Sequence, residues 1–95
     1  MGGIYIMAHG FGVTSDMLAA NDLQRIANVK GYNTSITDSV VTIEANDGVQ
    51  VAVTVNEGAY TINRTDKQLT YKSMSAVIKG INKALDVARK SQSYE

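Results

Sequence analysis

Ser39-Val40-Val41-Thr42-Ile43-Glu44-Ala45, then Asn46-Asp47-Gly48, then Val49-Gln50-Val51-Ala52-Val53-Thr54-Val55, then Asn56-Glu57-Gly58, then Ala59-Tyr60-Thr61-Ile62-Asn63: the stretch that decides the fold is three β-rich runs with two glycine-ended breaks. Asn, Asp and Gly tolerate the positive φ of tight hairpin loops, so the stretch predicts a three-stranded antiparallel meander. In the middle run Val49, Val51, Val53 and Val55 share one face and Gln50, Ala52 and Thr54 the other. The period of two assigns the valines to the core. Val41, Ile43 and Ala45 extend that apolar face on one side, Tyr60 and Ile62 on the other. Thr42, Glu44, Gln50, Thr54, Thr61 and Asn63 make the opposite face polar and mostly uncharged, open to solvent or to a partner.

An apolar sheet face needs a cover, and the chain supplies two amphipathic segments. Before the meander, Thr14-Ser15-Asp16 offers side-chain oxygens to cap a helix running from about Asp16 to Val29. Its apolar positions Ala19, Ala20, Leu23, Ile26 and Ala27 recur at helical spacing, and Gly31 is its stop. After the meander, Ser73 caps a second helix to about Lys90, with Met74, Val77, Ile78, Ile81, Leu85 and Ala88 in one apolar arc. Lys72, Lys79, Lys83 and Lys90 line up on the other side of the wheel. Gly80 inside this helix reads either as close packing against a neighbour or as simple tolerance of a ~1 kcal/mol cost relative to alanine.

The flanks are less decided. Gly3 to Ala8 has the make-up of a short additional strand, while Met7 is a second candidate start of the natural chain, which would make Met1 to Ile6 a leader. Tyr32 to Asp38 fits a loop or a short lead-in strand carrying Tyr32 and Ile36, and Thr65 to Lys72 reads as a polar connection. The expected fold class is therefore a single α+β domain over residues 1–95. Its order is α-β-β-β-α, with a three-stranded antiparallel meander covered on one face by two amphipathic helices.

The 95 residues suffice for one core, and 44% apolar content is ordinary for a globular domain. No apolar run approaches the ~20 residues of a membrane span, so no membrane partner is expected. Absence of cysteine excludes a disulfide framework, a thiol nucleophile and thiolate metal sites. Met1 to Ala8 lacks the basic start and long apolar region of a secretory signal, which leads to the expectation of a cytoplasmic protein. The sequons Asn33-Thr34-Ser35 and Asn63-Arg64-Thr65 are then chance matches to a loose pattern.

Ile4-Tyr5-Ile6-Met7-Ala8-His9-Gly10-Phe11-Gly12 ahead of a helix resembles the strand and His-Gly-x-Gly loop that supply oxyanion-hole N–H groups in α/β-hydrolases. That loop acts beside a serine on a Gly-x-Ser-x-Gly elbow and a later histidine. This chain has no such elbow, and His9 is its only histidine. Neither catalysis nor a metal centre is expected, because one histidine without cysteine makes no recognisable ligand set. Gly10-Phe11-Gly12 lacks the further glycine spacing and the lysine of phosphate loops, so no nucleotide cofactor is expected either.

What remains is a layout of charge. The net charge is zero, yet residues 32–63 carry Asp38, Glu44, Asp47 and Glu57 with no base. Residues 64–95 hold seven basic side chains against three acidic ones. Asp47 and Glu57 in the turns, and Lys72, Lys79, Lys83 and Lys90 on the last helix, are the candidate partner-binding residues. Two surfaces of opposite sign steer and orient a macromolecular partner, so the expected function is non-enzymatic protein binding. In size and build such a domain resembles small phage-encoded inhibitors of host defence systems. The alternative is nucleic-acid binding through the lysine row. The helix, three strands, helix order is similar to that of double-stranded-RNA-binding domains. Here, however, the last helix opens with Lys72-Ser73-Met74-Ser75-Ala76 rather than a lysine cluster, and the hairpin loop is Asn46-Asp47-Gly48 rather than Pro-His. The exposed edges of a meander also admit a homodimer.

Overall fold

The computed structural model describes residues 15–64 and 66–93. The proposed strand at Gly3 to Ala8, the His9 loop and Thr14 lie outside them. Helix α1 (Ser15–Val29) is followed by β1 (Asn33–Thr37), β2 (Val40–Glu44), β3 (Gln50–Asn56), β4 (Ala59–Asn63), β5 (Gln68–Tyr71) and helix α2 (Met74–Ser93). The strands form one antiparallel sheet in the order β1-β2-β3-β4-β5.

The α+β class and the helical cover stand, but among the described residues the sheet has five strands where the sequence pattern predicts three. β1 takes the ambiguous lead-in and β5 takes part of the supposed polar connection. Both are edge strands, and each buries little: β1 turns only Thr34 and Ile36 toward the helices, β5 only Leu69 and Tyr71, and all four stay half exposed. A strand half covered on one face and paired on one side needs no run of valines, so its apolar period is weak. Register supplies what pattern does not. Ile36 stands opposite Val41, Leu69 opposite Ile62 and Tyr71 opposite Tyr60, which continues the apolar face outward in both directions.

The central strands behave as their alternation dictates. Val41, Ile43, Val51, Val53, Val55, Tyr60 and Ile62 are buried beneath Ala20, Leu23 and Ala27 of α1 and Val77, Ile81, Ala84 and Leu85 of α2. A fully buried valine, leucine or isoleucine contributes about 1.5–3 kcal/mol by leaving water, so this cluster is the main source of stability. α1 packs on β1, β2 and β3, and α2 on β3, β4 and β5.

Local chemistry ends the elements where the residues require. Gly31, at φ +100°, closes α1: its N–H donates to the Asn28 carbonyl, and the Tyr32 N–H donates to the Ala27 carbonyl, the paired bonds of a Schellman cap. Ser73 Oγ accepts from the Ala76 N–H at 3.2 Å and starts α2. The Asp16 carboxylate accepts from the backbone N–H groups of Glu57 (3.0 Å) and Gly58 (3.3 Å), tying the start of α1 to the β3–β4 turn. Both helices therefore run from that end of the sheet toward the β2–β3 turn.

Candidate functional site

The six residues singled out by charge do not form one patch. Asp47 lies in the β2–β3 turn and Glu57 in the β3–β4 turn, at opposite ends of β3. Their circumstances also differ. One Asp47 oxygen accepts from the Val49 N–H at 3.3 Å, and the other takes a 2.5 Å hydrogen bond from Arg89 Nε. That bond, foremost, holds the Asp47 carboxyl below its ordinary range and raises Arg89 in return. Asp47 is thus engaged in fastening the C-terminal half of α2 to a hairpin, a role that charge counting does not reveal. Glu57 is exposed, its side chain takes no hydrogen bond or ion pair among the described residues, and its backbone sits at φ +53°.

The lysines do share a surface. Lys79, Lys83 and Lys90 are exposed on the side of α2 turned away from Val77, Ile81 and Leu85, with Lys72 exposed just before the helix. Lys72, Lys79 and Lys83 have no hydrogen bond or ion pair among the described residues. The arginines are all engaged: Arg25 with Asp22, Arg64 with Asp66, Arg89 with Asp47 and Asp86. Arg64 is the most enclosed of these, its side chain 9% exposed and forked onto both Asp66 oxygens at 2.9 and 2.6 Å. This pairing pulls Asp66 down to about 2. Cationic charge available to a partner is therefore concentrated on lysines.

Beside the lysines the structure exposes residues that sequence reasoning left unassigned. Leu18 is 57% and Val29 83% exposed. At about 100° per residue the two fall on one line of α1, opposite Ala20, Leu23 and Ala27. The signal was present in the spacing of eleven, but a wheel read only for its core overlooks apolar residues opposite it. Leu18 and Val29 on α1 and the lysine row on α2 face the same side of the molecule, away from the sheet.

The far side of the sheet has a different character. Thr37, Val40, Thr54, Thr61 and Thr70 stand in register across all five strands, and the hydroxyls of Thr61 and Thr70 lie 3.2 Å apart. Among the described residues Glu44 is the single charge on this face, and no aromatic ring stands on it. A cleft of about 360 Å³ opens at the other end of the fold between Lys30, Tyr32, Asn46, Asp47 and Arg89. Its Asp47–Arg89 pair is mutually satisfied, and Tyr32 donates its hydroxyl proton to Asn82 at 2.8 Å. Among the described residues no group of three His, Asp or Glu is placed to hold a metal ion. No helix there is long and apolar enough to cross a membrane. Comparison with protein-family models, with curated proteins and with solved structures gave no match to this chain.

Proposed function

We propose that this domain is a cytoplasmic, non-enzymatic protein-binding module, a small stoichiometric inhibitor or accessory protein of the kind phages encode against host systems. The observation that carries the proposal is the outward side of the helix layer, where α1 exposes Leu18 and Val29 and α2 exposes Lys79 and Lys83, neither lysine with an ion pair among the described residues. Apolar side chains give a partner something to desolvate, and lysines steer and orient an acidic surface. The partner of this chemistry is a protein whose contact surface combines apolar residues with carboxylates.

The test is an equilibrium titration of a partner captured from the native host, with the complex mass determined in solution. A 1:1 complex that weakens at least tenfold with Leu18→Ser/Val29→Ser and with Lys79→Glu/Lys83→Glu, at unchanged melting temperature, supports the reading. Binding indifferent to both pairs of substitutions overturns it. Charge reversal at Glu57 tests the turn separately; reversal at Asp47 also breaks the Arg89 bond and is no clean probe of a partner.

A second reading follows from the division between the engaged arginines and Lys72, Lys79 and Lys83, which have no ion pair among the described residues. Lys72, Lys79, Lys83 and Lys90 form a row suited to a phosphate backbone. Among the described residues the sheet adds no cation and no stacking platform to it, so such binding would be independent of base sequence. It requires a duplex affinity that falls steeply with added salt, and no shift with duplex RNA or DNA at low salt removes it.

A further inference from the structure

Asp47 is the one Asp or Asn in the sequence that a glycine follows. An aspartyl carboxyl is open to attack by the amide nitrogen of the next residue, and a side chain on that residue hinders the approach, so glycine permits it most readily. Gly48 sits at φ +87° with open space where a Cβ would stand, and Asn46, Asp47 and Gly48 are all exposed. Water reaches the turn and nothing crowds it.

Three hydrogen bonds hold the reacting groups in place. The Gly48 N–H donates to the Ala45 carbonyl at 2.9 Å, and the Val49 N–H donates to one Asp47 oxygen at 3.3 Å. Both belong to the turn itself. The third comes from Arg89, 42 residues away, whose Nε donates to the other Asp47 oxygen. That bond keeps the carboxyl ionised, whereas attack by an amide nitrogen expels a carboxyl oxygen as water and so requires the protonated form.

We propose that Asp47-Gly48 is a site of spontaneous isoaspartate formation and that Arg89 is the restraint that slows it. The Gly48 nitrogen bonds to Asp47 Cγ, the Cγ–OH bond breaks, and the amide proton leaves with the hydroxyl as water, closing a succinimide. Water then adds at one of the two imide carbonyls. Addition at Cγ breaks the new bond and restores aspartate. Addition at the main-chain carbonyl breaks its bond to Gly48, leaving the chain running through Cγ and one methylene longer. No co-reactant other than water takes part. The succinimide has no negative charge to offer Arg89, so ring closure removes the acceptor that fastens the C-terminal half of α2 to the hairpin.

Asp38 supplies an internal comparison: it is exposed in a turn at φ +56°, its side chain takes no hydrogen bond among the described residues, and Ser39 follows it. The test is prolonged incubation of the folded protein near neutral pH, with isoaspartate measured by methyl transfer from an isoaspartyl methyltransferase and located by peptide mapping. Arg89 is 42% exposed, so its replacement spares the core. Arg89→Ala should raise the rate at Asp47 at least tenfold, and Arg89→Lys, which keeps a cation, should raise it less. Asp16→Ala, which loosens the other end of the domain, should leave the rate near that of the unmodified protein. Equal rates with and without Arg89 overturn the proposal. So does equal acceleration by Asp16→Ala, which would assign the reaction to general unfolding, and so does isoaspartate that forms at Asp38 before Asp47 in the Arg89→Ala variant.

Discussion

Tyr71 occupies the space that a side chain at position 80 would need. A Cβ on Gly80 would lie 2.6 Å from the Tyr71 hydroxyl oxygen and 2.8 Å from its Cε1. The glycine in the middle of α2 is thus what lets the helix descend onto the last residue of β5. Gly80→Ala gains helix propensity of about 1 kcal/mol but overpacks a formed contact, at a typical cost of about 1–3 kcal/mol. The net expectation is destabilisation. In a Tyr71→Ala background the steric cost vanishes, so the same substitution should become neutral or stabilising. A double-mutant cycle by urea unfolding checks this, and equal effects of Gly80→Ala in both backgrounds would exclude the contact as the reason.

Asp16 joins two parts of the fold far apart in sequence, accepting from Glu57 and Gly58 in the β3–β4 turn. Asp16→Ala leaves two turn N–H groups to water and should cost about 1–2 kcal/mol in unfolding free energy. Asp16→Asn keeps one acceptor oxygen and should cost less. Hydrogen exchange at the Glu57 and Gly58 amides should accelerate in the alanine variant before the core amides respond.

Acid should weaken the domain through two carboxylates. Asp66 is lowered to about 2 by the Arg64 fork and Asp47 is lowered by the Arg89 bond, each from an ordinary value of 3.8. A carboxyl that is more acidic folded than unfolded contributes stability above its unfolded value and loses it as pH falls through the folded one. The contribution is therefore complete at neutral pH and declines below about pH 5, for Asp66 down to about pH 2. Asp66→Asn and Asp47→Asn should each flatten the acid limb of a plot of urea midpoint against pH. A limb unchanged in both variants would assign it to other carboxyls.

Glu57 is held at φ +53° beside Gly58, a position that asparagine or glycine fills with less strain. Glu57→Asn should stabilise the domain by about 1 kcal/mol. The exposed glutamate side chain makes no compensating bond within the described residues, so a stabilised variant with weakened partner binding would mark Glu57 as retained for contact rather than for folding.

Much of the scaffold was legible because strong periodicity and glycine punctuation agree there. The valine face from Val49 to Val55, the glycine turns at Gly48 and Gly58, the Gly31 stop and the Ser73 cap all appear where the residues point. β1 and β5 were not legible, because an edge strand is stabilised by its neighbour's backbone, and a single sequence does not display which backbone lies beside it. The lysine row was readable from helical spacing alone, while the exposure of Leu18 and Val29 required knowing which side of α1 meets the sheet.

By itself, then, the sequence determined a two-layer α+β domain, since hydrophobic period and turn chemistry are local properties written residue by residue. Tertiary structure alone decided that the sheet of the described residues has five strands, that Asp47 is engaged by Arg89, and that Gly80 makes room for Tyr71. Each of these depends on which distant residue becomes a neighbour, and that is set by packing over the whole core rather than by any local pattern.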